Sequence, residues 1–297
     1  MDGVRQARAD DHDAVADFTE RTWSDRDVRD YIPDVFSEWV ASDGPDQRTV
    51  VATVDDEPVG LCQALLLNDD EAWLQGMRVH PDHRGADHGE AMVTALRSWC
   101  RERGATVARN LVFGWNGAGM GQSRAAGFDP VTACRWVRLP PDESATPDAT
   151  VVDDPATAWR FWTHSDARDA LSGLARATDE AWAVSELDRS RLETLAVDGR
   201  AFALVDDGTR AMTARAGTRE RDGEVVAEYV VGAWADTAAA VELMTAIQAD
   251  TGTCGADAAR VLVPDTPRFV SDAATTRCEL GDTTDYVFAA DLTGHKG

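Results

Sequence analysis

The alternation of apolar and polar residues marks out a series of strands and helices along the chain. Residues 3–7 alternate as a short strand. Asp10 or Asp11 then stands where an N-cap belongs, and Ala14, Val15, Phe18 and Trp23 follow as the apolar positions of a helix. Tyr31, Val35, Phe36 and Trp39 mark a second helical stripe. Residues 49–54 and 58–66 read as two strands joined by a tight turn at Asp55-Asp56. A strand over 72–79, a helix over 89–103, a strand at 111–113, a helix at 117–126 and a strand at 132–139 close the first half. The segment from Pro140 to Asp148 holds three prolines, three acids and no large apolar residue, the composition of a linker.

Beyond that linker the same order of elements returns at an offset of 151 residues. The strand 49–54 falls on 201–205, and each is followed by Asp-Asp. Val79 falls on Val230, Met92–Leu96 on Leu243–Ile247, Leu111-Val112 on Leu262-Val263, and 132–139 on 283–290. The expected architecture is α/β with a mixed (α+β) sheet, in two tandem domains over 1–140 and 151–297 joined by a linker at 141–150. Trp159, Phe161, Trp162, Trp182 and Trp234 of the second half are expected first as core packing, with the lining of a cleft as their other use.

Composition narrows the partners. The 297 residues carry 53 acids against 29 bases, a formal charge of −24. The excess is spread along the chain, with 26 acids and 15 bases in residues 1–145 and 27 acids and 14 bases in 146–297. Such a surface repels nucleic acid and anionic lipid, so neither is an expected partner. Only one lysine is present among the bases. An acidic surface almost without lysine suits a salt-rich cytoplasm, where molar salt shortens screening to about 3 Å. No apolar run approaches the roughly 20 residues of a membrane helix, and the N-terminus lacks the order of a signal peptide. A cytoplasmic location is expected. The five cysteines form no CxxC pair and are expected as small buried residues.

The segment most suggestive of chemistry runs from Met77 to Ala91, MRVHPDHRGADHGEA. It takes a strand through a glycine-containing loop straight into a helix N-terminus, a geometry that gathers backbone N–H groups for phosphate. Here the sequence resembles the GNAT family of acyl-CoA-dependent N-acetyltransferases, in which a strand ending Val-x-Pro leads into Arg-Gly-x-Gly-x-Gly/Ala. Val79, Pro81, Arg84, Gly85 and Gly89 carry the match. It extends over most of residues 3–139 through the Val4-Arg5-x-Ala7 strand, the Asp56-x-Pro58-Val59-Gly60 hairpin, Asn116 and Gly127-Phe128.

The resemblance implies two tandem GNAT-like domains, with acetyl-CoA as cosubstrate. It implies that Met77 and Val79 pair with the pantetheine arm. It further implies that Arg84, Gly85, Ala86, Asp87, His88 and Gly89 surround the pyrophosphate, and that Asn116 contacts the cofactor. At the 151-residue offset Arg84–Gly89 becomes Ala235–Ala240, so the C-terminal copy is expected to be degenerate and not to bind CoA. Two positions depart from the family pattern. Asp87 replaces its middle glycine, and a carboxylate 4 Å from a phosphate repels it by about 4 kcal/mol at an effective dielectric near 20. Ser123 occupies the place of a tyrosine that often protonates the leaving thiolate.

Glu71 is the first candidate general base, Asp70 the second and His80 the third. The spacing of His80, Asp82, His83, Asp87 and His88 matches no metal motif, so no metal is expected, and a metal-dependent hydrolase is the weakest of the readings. The implied reaction is transfer of an acetyl group from acetyl-CoA to a small-molecule or peptide amine by a monomer or homodimer. The alternative is a non-catalytic acyl-CoA-binding or interaction protein that retains the fold.

Overall fold

The computed structural model describes residues 3–20, 22–23, 29–178, 180–197, 201–221 and 223–294. In chain order the first elements are β1 (Gly3–Gln6), α1 (His12–Glu20), α2 (Ile32–Ser42), β2 (Gln47–Val54), β3 (Glu57–Leu66), β4 (Glu71–Val79), α3 (His88–Glu102), β5 (Val107–Phe113), α4 (Gly117–Ala125) and β6 (Asp129–Leu139). There follow β7 (Thr150–Val152), α5 (Pro155–Trp162), α6 (Asp166–Ala170), β8 (Leu174–Arg176), β9 (Val184–Glu186), α7 (Arg189–Ala196), β10 (Ala201–Asp206) and β11 (Gly208–Arg221). The chain ends with β12 (Glu224–Tyr229), β13 (Ala233–Trp234), α8 (Thr237–Thr253), β14 (Ala258–Pro264), α9 (Pro267–Thr275), β15 (Glu279–Leu280) and β16 (Asp285–Asp291). The α/β fold with mixed strand directions agrees with the sequence. Trp23 lies beyond the end of α1, and β5 and β6 begin earlier than their apolar pattern indicated, at Val107 and Asp129.

The residues fall into two compact units, and the division does not occur at one point in the chain. The first comprises Met1–Val112, Asn116–Pro130 and Phe288–Gly297, and the second Phe113–Trp115 and Val131–Val287. The sequence placed a single boundary at 141–150. A strand belongs where its ladder bonds are, and that is invisible in the strand's own residues. β6 pairs antiparallel with β14, from Leu139↔Ala259 to Cys134↔Pro264. The end of the chain is held in the first unit, where the Leu292 N–H donates to Thr106 O and Arg101 Nε to Leu292 O.

In the first unit β1, β2, β3 and β4 form an antiparallel run, with β5 parallel to β4. One face of this sheet packs on α1 and α2, where Val15, Phe18, Ile32 and Phe36 bury against Val51 and Leu61. The other face receives α3. Gly60 lies so close to Met92 that a Cβ there would stand 2.9 Å from the Met92 methyl. In the second unit the sheet order is β7-β10-β11-β12-β14-β6. The series strand-strand-strand-helix-strand-helix-strand occurs once as β2 to β6 and again as β10 to β16, apart from the short β13 and β15.

Two residues test this packing. Gly76 has φ +67°, and a Cβ there would meet the Trp39 ring at 2.7 Å. Gly76→Ala is therefore expected to cost at least about 2 kcal/mol in denaturant unfolding. Asp285 is buried under Trp136, whose indole N–H donates to it at 2.9 Å. Burial pushes its carboxyl up from 3.8 to about 6, against the pull of that hydrogen bond and of Arg260 and Arg135. Between those two values the folded state holds a proton that the unfolded chain releases, so this contribution to stability declines as pH rises through the window. Asp285→Asn keeps the acceptor and removes the titration. It is expected to flatten the stability profile between pH 4 and 6, with a gain on the order of 2 kcal/mol at pH 7.

Candidate functional site

β4 and β5 begin as partners and then part. Their parallel ladder consists of Glu71↔Val107, Ala72↔Ala108 and Trp73↔Arg109, and no later pair joins them among the described residues. The joined end is fixed by a buried ion pair, Arg109 Nη1 to Glu71 Oε1 at 2.5 Å. Asn68 completes it, donating to Glu71 Oε2 and accepting the Glu71 N–H. On its other side β4 stays with β3 to the end, where the His80 N–H reaches Val59 O at 2.8 Å. Antiparallel pairs alternate, so the Val79 peptide turns toward the edge that β5 leaves uncovered, while Met77 lies at the register shift of the β3–β4 ladder between Leu61 and Gln63. An extended amide-bearing ligand can add to that edge as a strand.

The chain then passes through a single turn, Pro81–His83, and an exposed loop, Arg84 to Asp87, into α3. Arg84 Nε points back to Val79 O at 3.4 Å. Gly85 has φ +79°, and a Cβ there would meet nothing within 4 Å. Asp87 is the N-cap residue of α3 at φ 57°, in the left-handed region that glycine adopts readily and aspartate tolerates. In that conformation its side chain makes no capping hydrogen bond, so the first-turn N–H groups of α3 have no side-chain acceptor at the N-cap. The helix N-terminus thus offers both donors and the positive end of its dipole to an anion.

Gly89 serves packing. A Cβ there would lie 2.6 Å from Gln122 Nε2. That amide nitrogen is itself buried with no hydrogen-bond partner among the described residues.

The other half of the chain offers an internal comparison. An aspartate also precedes α8, but Asp236 is extended (φ −159°) and its carboxylate accepts the Ala239 N–H at 3.0 Å. Arg210 pairs with its other oxygen. The α8 N-terminus is capped by the protein's own carboxylate.

The remaining expected site residues are dispersed. Ala86 is exposed and His88 half-buried in the first turn of α3. Asn116 caps α4 by accepting the Gly119 N–H at 2.9 Å. His80 sits at the open end of β4, its ring 6.1 Å from Phe18 and 5.3 Å from His83. His80 Nδ1 accepts the Asp82 N–H at 3.1 Å, which places the ring hydrogen of the neutral form on Nε2. Glu71 is at the opposite end of the strand. Eight residues at about 3.3 Å each put it roughly 26 Å from Val79, and only 4% of it is exposed. The structure therefore does not bring Glu71 and His80 together, and Asp70 shares the location of Glu71. The first-ranked base is a structural ion-pair member.

Ser123 is buried and exchanges hydrogen bonds with Asn110, the first β5 residue beyond the ladder. Among the described residues no group of three His, Cys, Asp or Glu side chains converges as metal ligands.

Sequence reasoning missed Gln122, Asn110 and a buried pair on the other side of β4. There Arg78 donates to Asp30 from Nε at 2.6 Å and lies 4.3 Å from the Trp23 ring. The polar position Arg78 within an otherwise apolar strand was the available signal.

Comparison with known proteins bears on the whole chain. Residues 11–118, just over a third of it, match the model of the Acetyltransferase (GNAT) family. No curated protein matches. Among solved structures, a GCN5-related N-acetyltransferase from Sphaerobacter thermophilus is similar at 14% identity and TM-score 0.57, with 97% of this chain and 95% of that one covered. A proposed acetyltransferase from Thermoplasma acidophilum is similar at 16% identity and TM-score 0.56, covering 97% and 99%. These likenesses establish a shared fold over almost the full length. No helix among the described residues is long and apolar enough to cross a membrane.

Removing one partner of the ion pair at the joined end leaves an uncompensated buried charge. Glu71→Ala is expected to lower unfolding stability by about 3–5 kcal/mol.

Proposed function

From the match of residues 11–118 to the model of the Acetyltransferase (GNAT) family, we propose that the chain transfers an acetyl group from acetyl-CoA to a small-molecule or peptide amine. The observation that carries the reading is the uncapped N-terminus of α3 at the end of an open β4 edge. The residues present suit acetyl-CoA. Met77 and Val79 offer main-chain groups to the amide-rich arm, while the α3 N-terminus and Arg84 receive the pyrophosphate. The buried Gln122 Nε2, against Gly89, is a further donor on that side of α3. When bound, the thioester supplies an activated acetyl group.

An acceptor amine attacks only when deprotonated, and none of the candidate bases is poised to deprotonate it. Glu71 is committed to Arg109. The Nδ1 lone pair of His80 is committed to the Asp82 N–H, so the ring presents a donor and helps hold the loop. Transfer then draws on the amine that arrives neutral. The rate is expected to rise with pH toward the acceptor's own pKa, and to shift with acceptors of different basicity. A pH limb that stays fixed across acceptors and disappears in His80→Gln would instead make His80 the base.

One copy is proposed to bind. The Asp236 carboxylate occupies the anion position at α8, so the second half is read as a degenerate copy. Calorimetric titration with acetyl-CoA, in about 2–3 M KCl to screen the acidic surface, is expected to saturate at one equivalent per chain. Two equivalents would overturn the assignment. Arg84→Ala should weaken binding about tenfold at low salt, the loss of one charge-assisted contact. Asp87→Gly should tighten it about 5–10-fold at low salt and less in molar KCl, because it removes a negative charge and a left-handed aspartate together.

The second reading is a protein that binds acyl-CoA without turnover. The buried, hydrogen-bonded Ser123 where the family often has a tyrosine favours it. CoA release from acetyl-CoA across a panel of amines separates the two. Binding with no release for any amine selects the second.

A further inference from the structure

The second unit contains a buried guanidinium, that of Arg260, whose enclosed Nη1 makes no hydrogen bond among the described residues. Arg260 lies within β14, in register with Glu228 of β12 and Arg138 of β6. Tyr229, the neighbour of Glu228, hydrogen-bonds to Asp250 and Thr251 on α8. Glu228 and Arg260 therefore project from the opposite face of the sheet. There the Arg260 guanidinium carbon is 3.4 Å from the Trp136 ring centroid and 4.2 Å from that of Trp182. The two indoles stand perpendicular, 6.0 Å apart.

Only 7% of Arg260 is exposed, yet its Nη1 is fully enclosed and makes no hydrogen bond among the described residues. Glu228 Oε1 is 3.7 Å from Nη1, beyond hydrogen-bond reach. Glu228 is shared between two cations, in closer contact with the buried Arg176 and at ion-pair distance from Arg260. Asp285 is turned to the indole N–H of Trp136, Arg138 is paired with Glu224, and Arg221 stacks on Trp182 at 4.6 Å.

Leaving donors of a buried charged group unsatisfied is among the costlier arrangements a fold can hold. Two perpendicular indoles pack against the cation from different sides, and its N–H groups still lack a carboxylate within hydrogen-bond distance among the described residues. A guanidinium edge matches a carboxylate in plane, through two parallel hydrogen bonds. We propose that Arg260, walled by Trp136 and Trp182, anchors a binding site for a small monocarboxylate in the second unit. A single negative charge is the fitting one. One carboxylate, Glu228, faces two cations, Arg176 and Arg260, which leaves one positive charge over, and a second charge on the ligand would face Glu228. The site is separate from the CoA loop and does not depend on the acetyl-transfer reading.

The test is a titration of the full-length protein with potassium acetate replacing KCl at constant ionic strength, read by tryptophan emission. A saturable change is expected from Trp136 and Trp182. Arg260→Met should raise the half-saturating concentration at least tenfold, and Arg260→Lys, which keeps the charge and loses the fork, severalfold. Arg84→Ala should leave the response unchanged. Inorganic phosphate should bind at least tenfold more weakly than acetate. Thermal unfolding of each variant identifies any that fails to fold. If Arg260→Met does so, Arg260→Lys carries the comparison. Absence of saturation, an identical response in the folded Arg260 variant, loss of the response in Arg84→Ala, or a preference for phosphate would each overturn the proposal.

Discussion

The candidate site depends on two parallel strands that are joined at one end and parted at the other. The buried Glu71–Arg109 pair holds the joined end, and β3 keeps β4 in place after β5 has left it. A parallel pair bonded throughout would present no edge to a ligand, and a pair without the anchor would have nothing to fix where the strands diverge. The glycine-containing loop and the N-terminus of α3 are useful because they begin where this open edge ends. A charge pair that reads from the sequence as a candidate base is thus part of the frame, some 26 Å from Val79 by strand rise.

The same acid before a helix has opposite consequences in the two halves. Asp236 is extended and its carboxylate closes the N-terminus of α8. Asp87 is left-handed, and its carboxylate makes no cap on α3. Residue identity suggests an N-cap in both cases. Backbone conformation decides whether the helix donors are satisfied by the protein or remain for a ligand. This also changes the meaning of Asp87 as a departure from the family pattern. It occupies a glycine's conformation, and what it adds to the site is exposed charge.

Much of the frame was legible along the chain. The strand–helix order, the long helices α3 and α8 and the loop from Arg84 to Gly89 all follow from periodicity, glycine placement and spacing. The beginnings of β5 and β6 were not, because Val107–Asn110 and Asp129–Val131 mix polar with apolar residues, and pairing rather than pattern extends those strands. Gln122 and Asn110 were missed because a lone amide on a helix or strand carries no signal until a neighbour is known.

By itself, then, the sequence determined the kinds of element, their order, the acidic surface and the glycine-containing loop that leads into α3, since these reside in local periodicity and residue type. Tertiary structure alone decided that β6 joins the ladder of the second unit, because a ladder's partner is chosen across the chain. It placed Glu71 in an ion pair and His80 Nδ1 on a backbone N–H. It also set Arg260 beside two indoles with an enclosed Nη1 that makes no hydrogen bond among the described residues. Each of these is a relation that residue type alone does not specify, and the physical reason is the same throughout: burial, hydrogen bonding and charge pairing depend on what arrives beside a residue when the chain folds.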